Sequence, residues 1–353
     1  MPLIDAMKAI ASLLIVMHHL AAYGPLTEAF KQFAPTLIDG LYNYGRIAVQ
    51  VFLVIGGFLA ARGLSAQGEA LAEAPFGLIW KRYLRLAIPY LAAIGLAIIA
   101  SAIADRWLDD EMVPARASLG QWLAHVVLLH GILGVESLSA GVWYIAIDFQ
   151  LFALMALLLW TGRGRWLAPA LTLLLGALSL FWFNRDAGLD NWAVYFFGSY
   201  TLGAAAWWAA GPRQRLFWIS MIMVIGVAAL MVDFRLRIAI ALITALALAI
   251  SRKTHFLENC PEYKPLAFLG KISYSLFLVH FPVCLLSNAV FAQLNESNPA
   301  NALFMALATL AGSIAAGTLF HHWIESPAAS QRITRGFSAL LRRLGSPAIK
   351  TSP

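Results

Sequence analysis

The chain of 353 residues predicts an all-α, polytopic integral membrane protein, with about ten transmembrane helices plus one interfacial or re-entrant helix. Three observations carry that expectation. Hydrophobic residues make up 61% of the chain and charged residues 12%, against about 45–50% and about 25% in an average soluble domain. Mean hydropathy is +0.74. The apolar residues also fall in long blocks. A soluble enzyme of this length lacks the interior to hide so much apolar surface, and a disordered chain has the opposite composition. A spanning helix needs about 20 residues, so roughly ten to twelve spans fit the length with short loops.

The blocks follow in order. Ala9–Ala22 comes after Lys8 and has the outline of a signal peptide. His18 and His19 inside its apolar stretch mark it as a retained first helix, over about 9–23. The next spans are 46–61, ended by Arg62, and 84–104, which opens on the basic run around Lys81 and ends before Arg106. The stretch 119–135 is weaker, because it carries Gln121, His125 and His130 and runs into Glu136; it reads as an interfacial or re-entrant helix. Four spans then alternate with arginine-bearing loops: 142–160, 166–183, 192–210 and 214–232. The segment 236–250 ends at Arg252, 266–291 opens after Lys264, and 302–323 completes ten.

Basic residues test this topology. With the N-terminus inside, 18 of the 25 Lys and Arg residues fall on inner segments. Seven remain outside: Lys31, Arg46, Arg106, Arg116, Arg185, Arg235 and Arg237. That is the bias the positive-inside rule expects, and it places both termini in the cytoplasm. The +7 net charge is then an inner-side excess, and no nucleic-acid partner is expected. Residues 1–327 form the membrane domain, and 328–353 a basic cytoplasmic tail. Cys260 and Cys284 have no metal-ligand spacing and make no disulfide framework.

Ionisable groups inside spans are costly and usually face a cavity or a partner. Lys8 and His19 are eleven residues apart. That is about 16 Å along a helix and close to three full turns, so both project from nearly one face. The pair reads either as a cation and a general base lining one groove or as a positive-inside lysine with a packing histidine. Asp148, one turn inside a span, either orients a histidine or pairs with a basic residue. Lys81, Arg82 and Arg85 at a helix start suit phosphates or anionic lipid. Ser273-Tyr274-Ser275 precede His280 and Pro282 in the ninth span; His280 is either a ligand or a helix-packing donor. His321, His322 and Glu325 close the last span without the two histidines four apart of a helical zinc site, so no metal is expected. Trp143, Tyr144, Trp182 and Trp192 lie near presumed outer span ends, where sugars stack and where aromatic residues are enriched in any membrane protein.

In this order, these segments resemble the membrane acyltransferase 3 family, from about residue 4 to 327. Ile4-Asp5-Ala6-Met7-Lys8-Ala9-Ile10-Ala11, running on to His18-His19, is similar to the family's first helix, with its basic residue, ten others and a histidine. Val51–Leu59 is similar to its second helix, and Lys81–Tyr90 to its basic third-helix start. Leu269–Pro282 is the closest match, and Ile324-Glu325-Ser326-Pro327 closes the pattern. Four features depart from the family. Gln50 stands where Asp is common, and Gly56 where Ser is common. Asp148-Phe149 stands for a Glu pair, and Lys8 for an arginine.

The resemblance implies a ten-helix enzyme of a bacterial inner membrane. Such an enzyme moves an acyl group, commonly acetyl, from cytoplasmic acyl-CoA to a hydroxyl of a cell-envelope or exported glycan. It implies His19 as the catalytic residue with Lys8 as its signature partner. It also implies Arg82 and Arg85, with Lys81 beside them, as candidates for the coenzyme's phosphates. Asp148 stands at the family's carboxylate position, and Trp143, Tyr144, Tyr274, His280 and Glu325 are further candidates. The partners expected are acyl-CoA, the glycan acceptor and membrane lipid. No hydrolase-like domain follows the membrane part, so a second transfer step is expected to need a partner protein. The rival readings are a transporter or flippase for a glycan or small anion, and a helical scaffold. Against transport, no repeated half is visible.

Overall fold

The computed structural model describes residues 1–162, 167–209, 211, 215–294, 298–329 and 332. The tail expected over 328–353 lies outside the described residues apart from 328, 329 and 332. Among the described residues every regular element is helical. The chain runs α1 (Pro2–Leu20), α2 (Gly24–Phe33), α3 (Pro35–Tyr44), α4 (Ala48–Leu64), α5 (Phe76–Ala104), α6 (Leu119–Val126) and α7 (Trp143–Thr161). It continues through α8 (Leu167–Phe181), α9 (Ala193–Ala209), α10 (Arg215–Val232), α11 (Leu236–Lys253), α12 (Phe256–Asn259), α13 (Lys264–Phe291) and α14 (Pro299–Phe320).

Each of the ten predicted spans is a helix. Seven helical stretches of the described residues are long and apolar enough to cross a membrane: Pro2–Leu20, Pro35–Leu64, Phe76–Ala104, Trp143–Thr161, Leu167–Arg185, Lys264–Phe291 and Pro299–Glu325. The protein is a polytopic membrane protein. The other three predicted spans are shorter or more charged. α9 has 17 residues, the apolar stretch of α10 is Phe217–Val232, and α11 carries Arg237, Arg252 and Lys253.

The weak segment 119–135 does not span as a helix. α6 has 8 residues, about 12 Å at 1.5 Å per residue. A capping box between Ser118 and Gln121 starts it, and Leu128 at φ 59° leaves helical geometry just after it. Its end packs inward, where Tyr83 Oη donates to the Val126 carbonyl at 2.7 Å. The sequence reading shows α2 and α3 only as a loop. Each is 10 residues long, and they bring Leu26 and Ile38 under cover.

Lipid is as apolar as leucine, so helices in a membrane associate through close packing of small residues. α4 meets α9 at Gly57 and Gly203. A Cβ at Gly57 would lie 1.8 Å from the Tyr200 carbonyl oxygen, and one at Gly203 would lie 1.9 Å from that of Val54. α1 meets α13 where a Cβ on Gly270 would lie 2.1 Å from the Asp5 carbonyl oxygen. α13 also packs on α14 and α5. Two arginines that the charge rule leaves unexplained have structural tasks. Arg235 Nη2 donates to the Leu180 carbonyl at the end of α8, and Arg237 Nη2 to that of Asn184 in the turn after it.

Candidate active site

His18 and His19, adjacent at the end of α1, point to different partners. His18 Nδ1 lies 3.1 Å from the Leu41 carbonyl oxygen of α3. His19 turns inward and is 8% exposed. Its Nδ1 lies 2.8 Å from Nε2 of His280 on α13, and the two rings stack with centroids 4.8 Å apart. Tyr23 covers the other side, stacked at 5.7 Å. The third wall is Gly141, just before α7. Its φ of +80° is a conformation that L side chains rarely adopt, and its missing Cβ would sit 3.5 Å from His19 Cε1 and 3.4 Å from Phe277 Cζ. α1, α13 and the turn before α7 thus converge on one imidazole.

α1 is unbroken, so Lys8 keeps its place about 16 Å from His19. Its ammonium lies 3.2 Å from Asp5 Oδ1, and both side chains are partly exposed.

The basic run at the start of α5 divides. Lys81 and Arg85 are exposed, while Arg82 turns into the bundle. There its Nη2 donates to Asp148 Oδ2 of α7 at 2.5 Å, and its guanidinium lies over the Phe152 ring at 5.3 Å. Asp148 therefore pairs with a cation and does not orient a histidine. A charge inside a span needs such a partner. Tyr200 and Gly56 complete the wall: a Cβ on Gly56 would be 3.1 Å from Tyr200 Cε2 and 3.6 Å from Asp148 Oδ1. Gly56 thus leaves space that Tyr200 occupies. Arg82 Nε and the Tyr200 hydroxyl, both buried, have no hydrogen-bond partner among the described residues. Gln50, the other departure on α4, accepts from Ser199 Oγ at 2.7 Å.

Aromatic residues link the histidines to the ion pair. Tyr144, one turn from Asp148 on the same face of α7, meets Phe277 edge-on at 5.7 Å and Phe52 at 6.1 Å. Tyr144 thus lines the interior, and Trp143 beside it stacks on Phe196 at 5.7 Å. Trp182 and Trp192 are exposed. Tyr274 Oη donates to the Leu86 carbonyl at 3.0 Å, next to the Arg85 carbonyl that Pro89 deprives of its helical donor. Glu325 stands apart: its Oε2 accepts from Ser275 Oγ at 2.5 Å and pairs with His321 Nδ1 at 2.9 Å. His322 is exposed. Among the described residues no three His, Cys, Asp or Glu side chains converge as metal ligands.

Tyr23, Gly141 and Tyr200 escaped the sequence reading. Tyr23 and Gly141 lie in loops, and Tyr200 lies in a continuous apolar run, so none breaks a pattern. The signal nearest to Tyr200 was the Gly56-Gly57 pair, which marks a close helix approach opposite.

Comparison with known proteins adds a family. The family described as "Acyltransferase domain" matches residues 2–318. The peptidoglycan O-acetyltransferase OatA of Listeria monocytogenes is 24% identical over 92% of this chain, which spans 55% of that protein's length. A Caenorhabditis elegans protein named regulator of hypoxia-inducible factor 1 is 27% identical over 42% of the chain and 32% of its own length. The chain therefore spans about half of one relative and a third of the other. No solved structure matches it.

Proposed function

The chain belongs to the acyltransferase domain family, and from that membership we propose that it transfers an acyl group, acetyl first among candidates, from cytoplasmic acyl-CoA to a hydroxyl of a cell-envelope glycan. The observation that carries this reading is the burial of His19 at the meeting point of α1, α13 and the Gly141 turn. An imidazole with one nitrogen committed to a neighbour has the other free to act as a base. The name of the Listeria relative supports the glycan acceptor and the acetyl group.

The proposed reaction is direct transfer. His19 takes the proton of the acceptor hydroxyl, the oxygen attacks the thioester carbonyl, the C–O bond forms and the C–S bond breaks. The proton then passes from His19 to the leaving thiolate. The donor enters from the cytoplasmic side, where the exposed Lys81 and Arg85 are the candidates for its phosphates and Lys8 is a further cation near the start of α1. Arg82 is neutralised by Asp148, so it serves the path rather than the phosphates. Its free Nε–H and the Tyr200 hydroxyl suit neutral carbonyl oxygens of the donor arm. Trp143, Tyr144 and Tyr274 wall the path. In this reading the protein sits in a bacterial inner membrane with both termini cytoplasmic, 1–327 as the catalytic membrane domain and 328–353 as its basic tail, supported by the inner-side excess of Lys and Arg. The test is purified protein in lipid vesicles with isotope-labelled acetyl-CoA inside and an envelope oligosaccharide outside. Labelled ester on the oligosaccharide is expected. Oligosaccharide movement without ester formation would overturn the reading in favour of transport.

A further inference from the structure

Phe277, His280 and His19 form a chain in which each proton has one place. The Phe277 carbonyl oxygen lies 2.7 Å from His280 Nδ1, and a carbonyl only accepts, so Nδ1 carries the proton. A neutral imidazole holds one proton, so His280 Nε2 presents a lone pair. His19 Nδ1 lies 2.8 Å from that lone pair, which puts the His19 proton on Nδ1 as well. His19 Nε2 is left bare.

The surroundings keep both rings neutral. Around them stand His18 on the same helix, Tyr23 after α1, Gly141 before α7, and Phe277 and Phe281 on α13. No acidic side chain among the described residues pairs with His19 or His280. A second proton on either ring would be a buried charge without a counter-ion. On His280 the second proton would sit on Nε2 and place an N–H against the Nδ1–H of His19.

We propose that His280 is the positioning residue of this centre, holding His19 as the Nδ1–H tautomer with Nε2 turned to the reacting groups. No proton needs to leave His19 Nδ1: when Nε2 takes the acceptor's proton, the lone pair of His280 keeps its hydrogen bond to an imidazole that is now positive. Only the kinetic consequence rests on the proposed acyl transfer. The tautomer stands on geometry alone.

The experiment has two arms. In the first, the full-length protein with ring-15N histidine is reconstituted in lipid vesicles and examined by solid-state NMR, the His19 signals being identified by their loss in His19→Gln. The expected spectrum shows protonated Nδ1 and bare Nε2 in the wild type and in His280→Gln, whose amide oxygen supplies the same acceptor. A mixed or reversed tautomer is expected in His280→Leu. Protonated Nε2 in the wild type would overturn the proposal. In the second arm, His280→Leu is expected to lower kcat by about 100-fold with donor KM unchanged, in the range of a lost general base. His280→Gln should recover about tenfold of it. Equal activity of the Leu and Gln variants would overturn the positioning role. Wild-type protein that transfers no acyl group would sink the functional reading, while the spectrum still decides the tautomer.

Discussion

His19 on α1 and His280 on α13, 261 positions apart in the chain, face each other through a 2.8 Å hydrogen bond between their imidazoles. The contact joins the first helix to the penultimate one, and Gly270 on the same pair of helices allows their close approach at the other end. A first helix so engaged is part of the working molecule.

In the Arg82–Asp148 pair Asp148 is buried and Arg82 partly so, with side chains 9% and 24% exposed. Removing one partner strands a charge, which costs about 3–5 kcal/mol, whereas replacing both with apolar residues is often near neutral. Asp148→Leu and Arg82→Met should therefore each destabilise the protein in detergent by about 3 kcal/mol, and the double variant should recover most of it. Chemical denaturation of the three variants checks this. Additive losses would show that the two side chains are not coupled.

Lys81 and Arg85 point away from that pair. Changing both to Gln should raise KM for acetyl-CoA by about tenfold with little change in kcat, as for a lost ground-state contact to phosphate. Initial rates across donor concentration give the answer. An unchanged KM would assign both cations to the lipid surface instead.

Gly57 has no room for a methyl group, because its Cβ would lie 1.8 Å from the Tyr200 carbonyl oxygen. Gly57→Ala should push α4 from α9 and cost about 1–3 kcal/mol or more, as overpacking does. Since Gly56 and Tyr200 sit at the same contact, activity should fall with stability. A Tm equal to that of the wild type would contradict this packing.

His130, in the turn after α6, is pushed down to about 4 by burial and, second, by the neighbouring His125. The two rings stack at 4.2 Å. An unfolded histidine titrates near 6.5, so below that pH the unfolded state binds the extra proton and stability drains away. The loss runs from about pH 6.5 down to about 4, at no more than about 1.4 kcal/mol per pH unit. Unfolding free energies at pH 7.5 and 5.5 should differ less in His130→Phe than in the wild type. Equal differences would show that His130 does not carry the effect.

Much of the fold was legible because a membrane span announces itself through one property over many residues. The ten apolar blocks all became helices, and even the weak block at 119–135 showed its polar residues. What stayed hidden depends on pairing. Asp148 was visibly in need of a partner, but a choice between a histidine and Arg82 is made by the rotation of α5 against α7, which composition does not record. His280 was a lone imidazole beside a proline until α13 was placed against α1. α2 and α3 were missed because each is only 10 residues long and half-exposed, too short to carry a block of hydropathy. The run Lys81-Arg82-Tyr83-Leu84-Arg85 read as one cluster, although a helix turns 100° per residue and sends Arg82 inward while Lys81 and Arg85 face out.

The most direct test of acyl transfer at His19 is mass spectrometry of envelope glycans from cells carrying either the wild type or His19→Ala at equal protein level. Glycan esters should fall at least about 100-fold in the variant, as expected for loss of a general base. Esters at the wild-type level would contradict the assignment of His19 as the catalytic residue.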